Sequence, residues 1–460
     1  MIVMKFGGSS VGDAGRIERV ATLVATTPEP PCVVLSAMAD TTDELFAIAQ
    51  LAEQGRLPTA IAALDDTFGR AADVAGELLD RPEDALAGLQ RLRADVETLV
   101  RGVALLRERT ARTTDAIVAH GERMSTALLT ARLVERGVDA VEVDARRVMR
   151  TDARFGRAAP DRARIRELAA EHIAPRLAAG EVAVTQGYVG ATADGATTTL
   201  GRGGSDWSAA LLGAALGASE VQIWTDVEGV LTSDPRIVVD ARPIATLSAD
   251  EAAELAAFGA KVLHPSTIQP AVDAGIPVTV RHTLRPSGSF TRIEPKRSPS
   301  ARLGVAALAT RGPVTVLTMT SRRMLAASGY LAKLFGVFGE LGVPVDLVAT
   351  AEVSVACTVE ADAPIDRLVA ELDGLAHVEV LADCGIVAAI GDGLQRTPRV
   401  LERACRALHP IEPALVSFGG IARNLSFVVR RAEQEPALRR LHAEFFGAAA
   451  TTGPDQRSEP

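Results

Sequence analysis

Short apolar runs alternate with longer Ala- and Leu-rich stretches of helical period over the first roughly 290 residues, the pattern of an α/β domain with helices on both faces of a sheet. The predicted strands include Ile2 to Phe6, "PCVVLSA" (Pro31 to Ala37), "EVAVTQGY" (Glu181 to Tyr188), "EVQIWTDV" (Glu220 to Val227) and "GIPVTV" (Gly275 to Val280). From about residue 43 to about 135 the pattern is almost wholly helical, which predicts a helical subregion laid over the sheet. Lys5 interrupts the first apolar strand, and such a lysine either reaches water at the strand end or points at an anion.

The pattern breaks at "LRPSGSFTRIEPKRSPSAR" (Leu284 to Arg302), a polar, basic, Pro-containing segment that reads as an interdomain linker. Beyond it the chain repeats itself. "GPVTVLTMTS" (Gly312 to Ser321) is echoed by "DCGIVAAIGDG" (Asp383 to Gly393), and "PVDLVATAEVSVACTVE" (Pro344 to Glu360) by "PALVSFGGIARNLSFVV" (Pro413 to Val429). Each unit reads strand, helix, strand, tight turn, strand, and two such βαββ units are expected to pair side by side. The tail after Phe446 has the composition of a disordered segment.

Composition narrows the partners. Aromatic residues make up only 3% and the formal net charge is −9, so neither base stacking nor a broad phosphate-attracting face is expected, and nucleic acid is excluded as a partner. The four cysteines, Cys32, Cys357, Cys384 and Cys405, form no CxxC pair and read as buried thiols of a reducing compartment. The N-terminus has no signal-peptide pattern and no apolar run approaches a membrane span, so a cytoplasmic protein is expected.

Candidate chemistry gathers where predicted strands end, the place at which open α/β sheets bind ligands. "KFGGSS" carries Lys5, Gly7, Gly8 and Ser9, and "GRGGSD" runs from Gly201 through Arg202, Gly204 and Ser205 to Asp206 and into a helix. A strand, a glycine loop and a helix N-terminus present unhindered N–H groups to an anion. Either loop alone is also an ordinary tight turn, but two in one domain, with Lys in one and Arg and Asp in the other, favour phosphate. Neither a P-loop nor a GxGxxG fingerprint is present, because Asp206 stands where the third glycine would be. "WTDVEGVLTSDPR" offers Thr225 and Asp226 at a strand end, then Asp234 and Arg236, which read equally well as turn chemistry. "FGAKVLHP" places Lys261 in a helical segment ending before Pro265, and "AHGERMS" places Glu122 on an apolar helix, where a carboxylate needs a partner.

Taken in order, "KFGGSSV", "VVLSAM", "HGERMST", "QGYVG", "TTLGRGGSDWSAALLGAALGASEVQIWTDVEGVLTSDPR" and "FGAKVLHPSTIQPAV" resemble the aspartate kinases of the amino-acid kinase family, monofunctional type. The resemblance covers nearly the whole chain, and it implies an α/β fold: a carbamate kinase-like three-layer sandwich followed by two α+β, ferredoxin-like ACT domains. The implied domains are a catalytic domain at 1–292, a linker at 293–305, ACT domains at 306–382 and 383–446, and a disordered tail at 447–460. The implied reaction transfers the γ-phosphate of ATP, with Mg2+ on its phosphates, to the side-chain carboxylate of L-aspartate, giving 4-phospho-L-aspartate and opening the route to lysine, threonine and methionine.

The resemblance also implies roles. Lys5, with Gly7, Gly8 and Ser9, stabilises the transferred phosphoryl group; Asp206 organises Lys5, and Gly204 and Ser205 supply N–H groups. Arg202 grips the substrate α-carboxylate, Glu122 meets its ammonium, and Ser36, Thr42 and Tyr188 complete the aspartate side. Thr225, Asp226, Leu231, Arg236, Lys261 and Val262 fall on the nucleotide side. Met324, Ala327, Gly329, Tyr330, Leu331, Val345, Asp346, Ala351 and Glu352 match effector positions for lysine or threonine, and a homodimer or dimer of dimers is implied. This sequence departs from the family at Leu231, where Tyr is frequent, and at Asp40, where Gly is usual. Ala326, Ala327 and Ala351 replace the His and Ser residues of lysine-sensitive relatives, so weakened or absent lysine inhibition is expected. The rival readings are a catalytically silent amino-acid-binding regulatory subunit and another kinase of the same fold, for glutamate, acetylglutamate, uridylate or carbamate.

Overall fold

The structure is a computed structural model and describes residues 1–259, 265–296, 303–325, 327–419 and 423–447. The chain divides into two compact units, one comprising Met1–Val230, Ala245–Ala249 and Val262–Ser298, the other Leu231–Ile244, Asp250–Lys261 and Pro299–Pro460. Thus 231–244 and 250–261, inside the catalytic region expected from sequence, divide with the second unit.

In the first unit the strands are β1 (Ile2–Phe6), β2 (Cys32–Leu35), β3 (Ala140–Val143), β4 (Val182–Gln186), the small hairpin β5 (Val189–Ala191) and β6 (Thr197–Thr199), then β7 (Glu220–Thr225), β8 (Thr246–Ser248), β9 (Val278–His282) and β10 (Thr291–Glu294). Among the described residues eight of them form one sheet in the order β3-β4-β2-β1-β7-β9-β10-β8, parallel throughout except where β10 runs against β9. Parallel pairing at the centre aligns the C-terminal ends of β1, β2, β4, β7 and β9 along one edge.

The period-two alternation of β1 determines what each of its side chains meets. Met4 and Phe6 pack with Val33, Leu35, Val182 and Val184 into a core shared with the helices of 41–135, which form the expected helical subregion. Val3 and Lys5 face the other way, toward the helix Gly204–Leu216. That helix is buried nearly all round, and its small residues let it lie close on the sheet: a Cβ on Gly213 would come within 2.5 Å of Val221 Cγ2. The layers are therefore helix, sheet and helix, with Lys5 pointing into the second interface.

One expectation is corrected here. Part of the segment read as a linker is strand: Thr291 and Ile293 are buried and alternate with Arg292 and Glu294, a period-two pattern too short to stand out among prolines and arginines.

Among the described residues the second unit holds a six-stranded antiparallel sheet, β12-β13-β11-β14-β16-β15, made by β11 (Ala307–Thr320), β12 (Val348–Thr350), β13 (Ser354–Glu360), β14 (His377–Ile390), β15 (Leu415–Phe418) and β16 (Asn424–Arg430). Two cores share it. Leu317, Met319, Leu334, Phe338, Val355, Cys357 and Leu368 form the first; Leu308, Val387, Ala389, Leu425, Phe427, Leu438 and Leu441 form the second. β11 and β14 run through both, so the two βαββ repeats are nested. The strand Ala307–Arg311 pairs with Ile386–Ile390 and gives Leu308 to the second core before the first core begins. The stretch 231–244 joins the second core through Val238, and Thr232 Oγ1 lies 3.0 Å from His442 Nε2. Apart from Gly447, the expected disordered tail lies outside the described residues.

Candidate active site

The loops leaving the aligned strand ends interlock through backbone hydrogen bonds. Gly7 N–H donates to the Trp224 carbonyl at 3.1 Å, Ser36 N–H to the Phe6 carbonyl at 3.1 Å and Gly187 N–H to the Leu35 carbonyl at 2.8 Å. Close approach demands glycine at two points. A Cβ on Gly8 would sit 2.9 Å from the Ala37 carbonyl, and one on Gly187 would sit 2.6 Å from Ser205 Cβ. The "GGSS" loop is thereby pressed on the loop after β2, and the end of β4 on the first turn of the helix Gly204–Leu216.

Lys5 reaches across this junction. Its Nζ lies 2.7 Å from Asp206 Oδ1, with side chains 10% and 17% exposed. The first helical turn supplies Gly204 and Ser205, both buried, and its entry residue Gly203 has a φ of 73° that favours glycine. A lysine ammonium, a helix N-terminus and the Gly8–Ser10 turn thus meet at one place, a combination suited to a multiply charged phosphate.

Glu122 lies in the first turn of the helix His120–Glu135 and is 3% exposed. It accepts one hydrogen bond, from Ala37 N–H at 3.2 Å, and its Oε2 is buried with no partner among the described residues. Burial pushes its carboxyl up to about 8 despite that bond. A buried carboxylate oxygen without a donor fits a ligand ammonium. Gly121, whose Cβ would come within 2.8 Å of Ala37 Cβ, sets Glu122 against the β2 loop, with Thr42 beside it and Ser125 Oγ donating to the Ser36 carbonyl at 2.8 Å.

Tyr188 follows β4 with a φ of 65°, an uncommon conformation for a tyrosine. Burial pushes its phenol up to about 12, against a Thr199 hydrogen bond and with help from the nearby charges of Glu122, Asp115 and Asp43. Arg202 is exposed and makes no ion pair or hydrogen bond among the described residues. An exposed guanidinium of this kind can take a carboxylate in a two-pronged contact.

On the nucleotide side, Thr225 and Asp226 close β7, with Thr225 Oγ1 donating to Asp226 Oδ1 at 3.1 Å. Leu231 and Arg236 fall in the second unit, and the Arg236 guanidinium pairs with Asp234 at 2.6 Å. Lys261 and Val262 lie outside the described residues.

Of the effector positions, Tyr330 is buried at the start of the helix Tyr330–Glu340, entered through Gly329 with a φ of 79°. Asp346 pairs with Arg311 at 2.8 Å while its Oδ2 is buried without a hydrogen bond among the described residues. Ala351 N–H donates to the Ser354 carbonyl at 2.8 Å, Glu352, Ala327 and Leu331 are exposed, and Met324 and Val345 pack against the first core. Ala326 lies outside the described residues.

Sequence reading passed over Asp115, which is 1% exposed and accepts hydrogen bonds from Gly156 and Thr199. It lies seven residues ahead of Glu122 and follows Arg112, Thr113 and Thr114, so no local pattern singles it out.

The amino acid kinase family model matches residues 1–282, and the chain belongs to that family. Lysine-sensitive aspartokinase 3 of Escherichia coli (strain K12) is 40% identical over 97% of this chain and 99% of its own length. Aspartokinase 1, chloroplastic, of Arabidopsis thaliana is 37% identical over 96% of this chain and 80% of its own. Among solved structures, E. coli aspartokinase III in complex with aspartate and ADP matches with a TM-score of 0.78 at 39% identity, over 97% of this chain and 100% of that one. The same enzyme in complex with lysine and aspartate matches with a TM-score of 0.80 at 40% identity, over 97% and 99%.

Proposed function

We infer that the chain is an aspartokinase that phosphorylates the side-chain carboxylate of L-aspartate with ATP. The observation that carries the reading is the pairing of two charge arrangements at one sheet edge: Lys5 held by Asp206 beside two glycine turns, and a buried Glu122 oxygen lacking a donor among the described residues. The first suits a phosphoryl group, the second an α-amino acid.

The nucleophile is a carboxylate already ionised at neutral pH, so the site needs no general base. A carboxylate oxygen forms a bond to the γ-phosphorus, the bond from that phosphorus to the β–γ bridging oxygen breaks, and ADP leaves. Bringing one anion to another makes positioning and charge stabilisation the enzyme's task. Lys5 places a positive charge where the transferred oxygens gather negative charge, and Asp206 keeps that ammonium from swinging into solvent. Backbone N–H groups of Gly8, Ser9 and Ser205 would add to it, while the Gly204 N–H, donated to the Gly201 carbonyl at 3.0 Å, shapes the turn. Glu122 takes the substrate ammonium and Arg202 its α-carboxylate, with Ser36, Thr42 and Tyr188 shaping the pocket. Thr225 and Asp226 are assigned to the nucleotide.

Mg2+ would neutralise phosphate charge. The described residues hold no cluster of three carboxylate, histidine or cysteine ligands, which suits an ion carried by phosphate oxygens and water. No described helix is long and apolar enough to cross a membrane, and a cytoplasmic, reducing setting suits the four unpaired thiols. A homodimer or dimer of dimers is the assembly the family likeness implies.

Regulation is assigned to the nested ACT domains. Lysine is the ligand in the E. coli T-state complex. In this chain Ala327 and Ala351 offer no hydroxyl, so weak or no inhibition by lysine is expected, although the Asp346 oxygen not paired with Arg311 remains open to an ammonium. Steep inhibition of the forward rate by low lysine concentrations would contradict that. The pocket assignment is tested by Arg202→Ala, which should raise the KM for aspartate by at least about tenfold while leaving the KM for ATP nearly unchanged. An unchanged aspartate KM would remove Arg202 from the pocket.

A further inference from the structure

We propose that Asp115 is a positioning residue of the aspartate pocket, a buried carboxylate that holds the Tyr188–Arg202 region in register with the helix bearing Glu122. The proposal rests on the aspartokinase reading for its substrate and on geometry for its mechanism.

Asp115 lies within the helix Ala111–Val118, which leads directly into the helix His120–Glu135 and so to Glu122. No cation is paired with it among the described residues; its charge is met by three donors. Gly156 N–H and Thr199 N–H both donate to Oδ2 at 2.9 Å, and Thr199 Oγ1 donates to Oδ1 at 2.9 Å. A carboxylate so buried persists only when its oxygens are satisfied in this way. Burial pushes the carboxyl's pKa upward, against the hydrogen bonds from Gly156 and Thr199.

The donors come from the segments that lead into the pocket. Thr199 ends β6, three residues before Arg202. Leu200 N–H donates to the Tyr188 carbonyl at 2.9 Å, and Ala158 N–H to the Thr199 carbonyl at 2.9 Å. At Gly201, with a φ of 79°, a Cβ would lie only 3.1 Å from the Gly156 carbonyl. Asp115 therefore clamps 156–158 and 199–201 together beneath the turn that presents Arg202, and β6 passes the restraint to Tyr188. The clamped segment also meets the helix N-terminus, where Gly204 N–H donates to the Gly201 carbonyl at 3.0 Å and a Cβ on Gly204 would lie 2.7 Å from Tyr188 Cδ2. The three donors to Asp115 come from Gly156 and Thr199, so the effect is expected to fall first on the Tyr188–Arg202 side.

The test uses the full chain with Asp115→Ala, Asp115→Asn and Thr199→Val, each examined for thermal unfolding, initial rates with aspartate and ATP varied separately, and hydrogen exchange by peptide. Asparagine can accept both N–H groups through its oxygen and donate its NH2 to a reoriented Thr199 hydroxyl. The expected result for Asp115→Ala is an aspartate KM raised by about tenfold or more, with the ATP KM within about twofold and faster exchange at 196–204. Asp115→Asn is expected within about threefold of the parent, with Thr199→Val between the two. Should Asp115→Ala not fold, Thr199→Val carries the same KM split. An unchanged aspartate KM, an equal rise of both KM values, or an asparagine variant as impaired as alanine overturns the proposal. If the parent chain shows no turnover of aspartate, the functional reading fails separately. Exchange at 196–204 then still decides the clamp: faster exchange in Asp115→Ala supports it, and unchanged exchange overturns it.

Discussion

A lysine in a buried strand and a glutamate in a buried helix face opposite problems, and each has a measurable consequence. Lys5 is satisfied within the protein by Asp206. Replacing it with alanine removes a charge aimed at the transferred group, so turnover should fall about 10²- to 10³-fold while the thermal midpoint moves by only a few degrees. Near-normal turnover in Lys5→Ala would take Lys5 out of the reaction. Glu122 is not satisfied, and its carboxyl is pushed up to about 8 by burial. Below that pH the empty site holds a neutral acid, and pairing with an ammonium requires the proton to leave. The sign follows: kcat/KM for aspartate should rise with pH, about tenfold per unit, and level near 8. Glu122→Gln should flatten the slope, and a parent profile flat from pH 6 to 8 would contradict the assignment.

At the scale of elements, the site is the place where five parallel strands end together and three glycines let their loops touch. The contact of β4 with the helix Gly204–Leu216 is the tightest of these. Gly187→Ala should therefore displace the first helical turn and impair both substrates, lowering kcat/KM by about tenfold or more; wild-type kinetics would show that Ser205 can yield. Much of this was legible in the sequence, because β1, β2, β4 and β7 are continuous apolar runs and "KFGGSS" and "GRGGSD" follow two of them. Other elements were hidden for physical reasons. β10 is four residues long and half polar, and β6 is a run of threonines whose burial depends on Asp115 and Thr151 rather than on apolar character. Asp115 itself was illegible because its donors lie 41 and 84 residues away, and nothing local marks a carboxylate as satisfied.

For the whole molecule, the repeat was visible but its nesting was not. Strand-pairing partners of β11 are set by long-range register, and 307–311 looks no different from 314–320 in composition. Leu308→Ala tests the nesting: it should cost about 2–5 kcal/mol and speed exchange in β16 and the 386–390 half of β14, leaving β13 protected. Faster exchange in β13 instead would reverse the assignment of that strand. The chemistry at the first unit's sheet edge is tested most directly by ATP-dependent acyl phosphate formation, trapped as the hydroxamate, with L-aspartate, L-glutamate and N-acetyl-L-glutamate compared at equal concentration. Product with L-aspartate well above the other two is the predicted result; preference for either glutamate compound, or no product with any acid, would contradict the account.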